Sequence, residues 1–184
     1  MRLFIAIECP DDVKDELVKV QKEVIGLGKV KVVEYENLHL TLKFLGEVSE
    51  GKADGLGDVL SAVEYPPFTM EVGGMGVFPG PGNARVVWAG ITRGSQELKK
   101  LQEKLEDTLG LKGFERDRRF HPHLTLARVK DRVRGDDVRV LLNKHKRTLF
   151  GSFVVGSFFL MKSELSPNGA AYDVVSVQNL RQPI

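Results

Sequence analysis

The feature that most constrains the fold is a four-residue motif, HLTL, which occurs twice, at residues 39–42 and 123–126. The first copy lies in LHLTLKFL at 38–45, where apolar and polar residues alternate. Successive side chains of a β-strand point to opposite faces of the sheet. Each copy therefore predicts a half-buried strand, with its leucines in the core and its histidine and threonine together on the other face.

The rest of the chain predicts helices separated by further strands. Apolar residues recur at helical spacing from Val13 to Val24 and from Leu98 to Leu109, which predicts two amphipathic helices. A weaker helix is predicted after Ser49, and another near 136–146. Strands are predicted at residues 2–7, 30–33, 38–45, 68–72, 84–89, 122–128, 149–162 and 171–177. The runs GGMGVFPGPGN at 73–83 and SPNG at 166–169 are predicted as turns.

The order of these elements indicates the fold class. Strands outnumber helices and several neighbouring strands resemble hairpins, so the chain is predicted to be α+β with antiparallel pairing. One HLTL motif falls in each half of the sequence. We therefore expect residues 1–184 to form a single bilobal, pseudo-symmetric domain with one motif in each half.

Composition narrows the class of protein further. With 42% hydrophobic and 28% charged residues, the chain is typical of a globular protein. The net charge is only +2, so nucleic-acid binding would depend on local basic clusters. The single cysteine, Cys9, excludes an internal disulfide and a cysteine-built metal site. The apolar start is short and is broken by Glu8, so we expect no signal peptide or membrane span and a cytoplasmic protein.

The repeated motif also predicts chemistry. If the two polar faces oppose each other, one groove holds the imidazoles of His39 and His123 and the hydroxyls of Thr41 and Thr125. One neutral imidazole can act as a base while a protonated one acts as an acid, and the hydroxyls can bind phosphate oxygens. A strained cyclic phosphodiester needs neither a metal, a cofactor nor a protein nucleophile. The spacing alone does not tell which histidine is the acid.

Basic residues near the motifs are candidates for RNA contacts. One cluster precedes the second motif and another follows it, and together they could bind an RNA backbone. Lys43 shares the strand face of His39. Strict alternation places Arg128 on the leucine side, from which it reaches phosphate only if the strand has a bulge or a bend. The candidate RNA-binding residues are Lys43, Arg85, Arg119 and Arg128.

Two alternatives remain open on these residues. His121 and His123 could form a metal pair in a metal-dependent hydrolase, although no third ligand stands at a recognisable spacing. The basic clusters could instead belong to a non-catalytic RNA-binding module.

The stretches HLTLKFLG at 39–46 and RFHPHLTLAR at 119–128 resemble the paired motifs of the two-histidine (2H) phosphoesterases. The closest branch is the RNA 2′,3′-cyclic phosphodiesterases, also called 2′-5′ RNA ligases. The resemblance continues in RLFIAIE, FPGPGNARVVWAG and SELSPNGAAY. It implies a bilobal fold in which two antiparallel sheets form a central cleft, with the helices outside.

The same resemblance implies a reaction and roles for the residues. The expected reaction is hydrolysis of a terminal 2′,3′-cyclic phosphate on RNA to a 2′-phosphate. His39 would be the proton donor, His123 the proton acceptor, and Thr41 and Thr125 the phosphate-binding residues. The implied partners are RNA ends, tRNA halves among them, with no obligate protein partner, and reversible 2′-5′ joining of RNA is a further family trait.

Overall fold

The computed structural model describes residues 1–166 and 169–182, and shows helices packed on an antiparallel sheet. The strands are β1 Arg2–Glu8, β2 Val30–Val32, β3 His39–Glu47, β4 Phe68–Phe78, β5 Val86–Arg93, β6 Leu124–Val129, β7 Leu149–Val155, β8 Ser157–Ser166 and β9 Gly169–Asn179. The helices are α1 Asp11–Ile25, α2 Glu50–Ala53, α3 Leu56–Ser61, α4 Ser95–Gly110 and α5 Gly135–Lys144. The predicted α+β class is confirmed.

The two helices with the clearest periodicity form where the pattern predicts them. In α1 the apolar stripe from Val13 to Val24 is buried, and two aspartates occupy the first turn, where the helix dipole favours negative charge. In α4 the four leucines of the stripe are completely buried. Burial of one apolar face fixes each helix against the sheet.

The described strands form one sheet in the order β7-β4-β5-β6-β3-β1-β8-β9, and β2 pairs with β6. The sheet is joined in its middle by β3 and β6, which share a single paired position, Leu40 opposite Leu124. The two expected sheets are therefore hydrogen-bonded into one, because the strands that carry the two motifs are themselves neighbours. On either side of this pair the two strands separate, which leaves a cleft.

Two predicted segments differ from the structure around glycines. The strand predicted at 68–72 continues through the glycine-rich run to Phe78, and only Pro81–Asn83 forms a turn. Gly76 explains the continuation, since a Cβ there would lie 2.2 Å from two ring atoms of Trp88. The run permits close packing of an aromatic ring on a strand, and is not a turn throughout.

Two other predicted elements are each divided at a glycine. The strand predicted at 149–162 divides at Gly156 into β7 and β8, which lie in different parts of the sheet beside β4 and β1. The helix predicted after Ser49 divides into α2 and α3 at Gly55, whose φ is 73°. Such a left-handed conformation interrupts a helix. Pro167 and Asn168 of the predicted SPNG turn lie outside the described residues.

The core lies on one face of the sheet, and its position leaves the polar faces of the motifs uncovered. Leu40, Leu42, Leu124 and Leu126 belong to the main buried cluster together with the apolar faces of α1 and α4. Because side chains alternate along a strand, this burial turns the histidine and threonine of each motif to the opposite face. No helix of the described residues is long and apolar enough to cross a membrane.

We expect Leu124→Ala to lower the free energy of unfolding by about 2–5 kcal/mol, because it leaves a cavity where β3 and β6 join. Leu124 is completely buried. Urea unfolding followed by circular dichroism measures the change. The matched control is Leu149→Ala, at a side chain that is 56% exposed, where we expect a change within about 0.5 kcal/mol. Equal losses at the two positions would contradict this account of the junction.

Candidate active site

The pairing of β3 with β6 brings the two HLTL motifs together. Leu40 lies opposite Leu124 in an antiparallel register. Such a register directs position 39 toward position 125 and position 41 toward position 123. The histidine of each motif therefore lies diagonally across from the other histidine and on the side of the other threonine. All four side chains line one cleft of about 730 Å³.

Both imidazoles are held in the same tautomer by backbone carbonyl groups. Nδ1 of His39 is 2.6 Å from the carbonyl oxygen of Asn37, and Nδ1 of His123 is 2.7 Å from that of His121. A carbonyl oxygen only accepts hydrogen bonds, so each Nδ1 carries a proton and donates it. The Nε2 atoms are thus the positions at which the two rings can exchange protons.

The Nε2 atoms differ in their surroundings. Nε2 of His39 is 2.9 Å from the hydroxyl oxygen of Thr41, which donates to the neutral ring. Nε2 of His123 has no hydrogen-bond partner within residues 1–166 and 169–182. Nε2 of His123 is therefore open to a hydrogen bond with a molecule in the cleft.

Aromatic rings fix the position of each imidazole. The ring of His39 lies 5.1 Å from that of Phe4 and 5.3 Å from that of Tyr172, measured between centroids. The ring of His123 lies 5.1 Å from that of Phe78. These contacts, together with the carbonyl hydrogen bonds, hold the reactive nitrogens at the cleft surface, since packed rings have few alternative rotamers.

The surroundings lower the pKa of both histidines. Burial lowers the pKa of His39 below its ordinary value of 6.5, and the charges of Lys14 and His123 lower it further. Burial also lowers the pKa of His123, with contributions from the charges of His121 and Arg128. His123 is therefore near enough to His39 for the charge of a protonated His123 ring to lower the pKa of His39. Both shifts favour the neutral form of the imidazole in the ligand-free protein.

The same irregularity follows both motifs. In β3 the register with β1 passes directly from Thr41 to Lys43, and in β6 the register with β5 passes from Thr125 to Ala127. The leucine after each threonine is thus an extra residue, a β-bulge. Because the bulge shifts the alternation by one position, the residue two places after each threonine is buried.

The bulges determine which side chains enter the cleft. Phe44 and Arg128, each five positions after a motif histidine, both line it. Phe44 is 71% exposed. Strict alternation would place Arg128 on the leucine side, and the bulge is the departure from alternation that brings it into the cleft. Arg128 lies near His123 and contributes its charge to the site.

The bulge in β3 has the opposite effect on Lys43. Its side chain is buried, and its ammonium group donates to both carboxylate oxygens of Glu106, at 2.9 and 2.8 Å, and to the carbonyl oxygen of Glu115 at 2.7 Å. An ammonium group has three donors, and all three are used. The predicted RNA contact of Lys43 is therefore not supported. Lys43 instead joins β3 to α4 and to the loop that precedes the second motif.

The other two predicted RNA contacts, Arg119 and Arg85, differ in whether they line the cleft. Arg119 is exposed and lines the cleft, and its backbone N–H donates to the carboxylate of Asp117. Arg85 is exposed immediately before β5 and is not part of the cleft lining. Arg119 can reach a molecule in the cleft, whereas Arg85 can contact only RNA that extends beyond it.

Several residues position the site through contacts that no sequence pattern indicates. The side-chain amide of Asn37 donates to the carbonyl oxygen of Ala170 at 2.7 Å, which ties the segment before His39 to β9. Glu106 lies on the buried face of α4 and receives hydrogen bonds from Lys43 and from Gln102. Helical periodicity predicts apolar residues at such positions, so a buried charge there could be found only from the structure.

The positions of His121 and His123 do not support the alternative of a metal-dependent hydrolase. The rings of His121 and His123 are 6.0 Å apart between centroids, and His121 packs against Trp88 at 5.1 Å. Among the described residues, no group of three or more histidine, cysteine, aspartate or glutamate side chains is arranged to hold a metal ion. The arrangement is that of a two-histidine phosphoesterase, with two imidazoles and two hydroxyls on one cleft.

Comparisons with known proteins give the family. The model of the 2′-5′ RNA ligase superfamily matches residues 10–166. An RNA 2′,3′-cyclic phosphodiesterase of Archaeoglobus fulgidus is 40% identical over 172 residues, covering 94% of this chain and 96% of the relative. The chain therefore belongs to the 2′-5′ RNA ligase superfamily, as the paired motifs indicate.

Solved structures agree with this assignment. The crystal structure of a Thermus thermophilus protein has a TM-score of 0.80 and 34% identity, with 99% of both chains covered. Escherichia coli LigT complexed with 3′-AMP has a TM-score of 0.79 and 27% identity, with 98% of both chains covered. The α+β fold built on antiparallel strands, which the resemblance implies, is confirmed.

We expect Lys43→Met to lower the free energy of unfolding by about 3–5 kcal/mol, because it leaves the Glu106 carboxylate buried without its partner. The double variant Lys43→Met/Glu106→Met removes both charges, and should recover most of that loss. Urea unfolding of the three proteins gives the comparison. If Lys43→Met kept full stability but lost affinity for RNA, that result would contradict the structural role and would support the predicted contact between Lys43 and RNA.

Proposed function

We propose that the protein hydrolyses terminal 2′,3′-cyclic phosphates on RNA to 2′-phosphates, with His39 and His123 as its acid and base. The observation that carries the proposal is the fixed tautomer of both rings, since each Nδ1 donates to a carbonyl and each Nε2 is left for proton exchange. Both rings line one cleft. Relatives named RNA 2′,3′-cyclic phosphodiesterase support the substrate class.

The reaction needs one proton transfer at each ring. Nε2 of His123 takes a proton from water as the water oxygen bonds to phosphorus. The bond between phosphorus and the 3′ oxygen breaks, and Nε2 of His39 gives its proton to that oxygen. The product carries a 2′-phosphate and a 3′-hydroxyl group, and exchange of protons with solvent restores both rings.

The open Nε2 of His123 supports its assignment as the base, whereas the pKa is lowered at both rings and does not distinguish acid from base. Burial, together with the charges of His121 and Arg128, lowers the pKa of His123, which keeps it neutral and suited to the role of base. His39 must be protonated, and its pKa is lowered mainly by burial. The phosphate anion of the substrate opposes that effect, because an adjacent negative charge favours the imidazolium form.

Other cleft residues suit a phosphate and a base. The hydroxyls of Thr41 and Thr125 and the guanidinium of Arg128 can bind the non-bridging oxygens, where charge increases in the transition state. Thr41 can turn to the phosphate once His39 is protonated, since the imidazolium Nε2 no longer accepts its hydrogen bond. The exposed ring of Phe44 is available for stacking on the terminal base.

The proposal extends to longer RNA and to the joining of RNA ends. If a 5′-hydroxyl group of a second RNA replaces water, the same two proton transfers give a 2′-5′ linkage, the activity for which the superfamily is named. Arg119 at the cleft and Arg85 outside it favour an RNA longer than one nucleotide, and tRNA halves are one such substrate.

The direct test compares His39→Ala and His123→Ala with the wild type on an oligonucleotide that ends in a 2′,3′-cyclic phosphate. Each role is worth on the order of 10²–10⁴ in rate, so we expect losses of that size with substrate binding retained. Chromatography should identify a 2′-phosphate product, and activity should persist in EDTA. Full activity of both variants, or a 3′-phosphate product, would contradict the proposal. Loss of activity in EDTA would favour the metal alternative.

The pH dependence provides a second prediction. We expect a bell-shaped profile of kcat/KM, because one imidazole must be neutral and the other protonated. Since burial lowers both pKa values, the basic limb of kcat/KM should lie on the acid side of 6.5. Bound phosphate raises the pKa of His39, so the basic limb of kcat should lie at higher pH. Initial rates measured across the pH range in which histidine titrates test whether the basic limb of kcat lies at higher pH than that of kcat/KM. The opposite order of the two limbs would contradict the prediction.

A further inference from the structure

We propose that a second cavity beside the cleft binds the penultimate nucleotide of the RNA, an inference that rests on the proposed function. This side cavity has a volume of about 320 Å³. Phe120 and His121 line both the side cavity and the cleft, and so form a common wall. The other residues that line the side cavity are Gly73, Gly74, Met75, Trp88, Gly90, Ile91, Ser95, Lys99 and Pro122.

Glycines expose strand backbone in the lining of the side cavity. Gly73 and Gly74 lie where the register of β4 with β5 shifts between Val72 and Met75. Gly90, on β5, faces Gly73, and a Cβ at Gly90 would lie 3.0 Å from the carbonyl oxygen of Gly73. Glycine within a strand marks close approach of another backbone or of a ligand, and at Gly90 the approaching group is the carbonyl of Gly73. A backbone surface without side chains suits a flat nucleobase.

Aromatic rings in the lining of the side cavity provide a surface on which a nucleobase can stack. The indole of Trp88 lies 5.1 Å from the imidazole of His121, measured between centroids. Nε1 of Trp88 is the buried side-chain polar atom that lacks a hydrogen-bond partner in the described part of the chain. Single-stranded RNA is commonly bound by stacking of its bases on such rings, which tolerates any base.

A positive charge completes the side cavity. Lys99 lies on α4, is exposed, and makes no ion pair within residues 1–166 and 169–182. Ser95 begins α4, so the positive end of this sixteen-residue helix also borders the side cavity. These groups suit the phosphate of an RNA backbone, and the glycines and aromatic rings suit its base.

The direction of the RNA chain determines which nucleotide can occupy the side cavity. A cyclic phosphate ends the RNA on its 3′ side, so the chain can leave the cleft only from the 5′ side of the terminal ribose. The proposal takes the next nucleotide along that path across the common wall of Phe120 and His121 into the side cavity. A mononucleotide in the cleft leaves the side cavity unused, which gives the proposal a measurable consequence.

The test compares two substrates that share one terminal nucleoside cyclic phosphate, a mononucleotide and a dinucleotide. Lys99→Met removes the charge, and Ser95→Trp fills the side cavity. The matched control is Lys100→Met, which removes an adjacent exposed charge outside the lining. We expect the first two variants to lower kcat/KM on the dinucleotide by about three- to tenfold, the size of one exposed phosphate contact. Their kcat/KM on the mononucleotide, and both values for the control, should match the wild type.

The outcomes separate the two proposals. Selective loss on the dinucleotide supports the side cavity as a nucleotide-binding site. Equal effects on both substrates, no effect on either, or a wild type that does not prefer the dinucleotide would overturn it. If the wild type hydrolyses neither substrate, the proposed function itself fails.

Discussion

The contact between Leu40 and Leu124 is the interaction on which the candidate site depends. Both leucines are completely buried, and they form the position at which β3 pairs with β6. Burial of the leucines turns the histidines and threonines to the other face, and the antiparallel register sets the two motifs against each other. The pairing of two buried leucines at one position therefore gives both the continuity of the sheet and the convergence of the polar side chains.

Repetition of the motif gives a nearly symmetric arrangement, and the residues after it break that symmetry. Both strands contain a bulge directly after the threonine, so the fifth residue after each histidine enters the cleft. In β3 this residue is Phe44 and in β6 it is Arg128. A ring on one side suits a base, and a guanidinium on the other suits phosphate and helps to keep His123 neutral. Similar strands thus support different chemical roles.

The sequence predicts the parts of the fold that depend on periodicity. The stripes of α1 and α4 and the alternation of β3 have clear patterns, and the paired motifs predict which residues meet. The bulges are not predictable from periodicity, because the residues that precede the extra residue alternate as they do in a regular strand. The burial of Lys43 and the exposure of Arg128 both follow from a bulge. Glu106 and Asn37 act through contacts distant in sequence, which periodicity cannot indicate.

The most direct measurement of the central claim is a crystal structure of the protein with a 2′-phosphomononucleotide, the product of the proposed reaction. The account predicts that Nε2 of His39 and Nε2 of His123 contact the same phosphoryl group, with the hydroxyls of Thr41 and Thr125 on its oxygens. A phosphoryl group bound by only one of the two imidazoles, or bound outside the cleft, would contradict it.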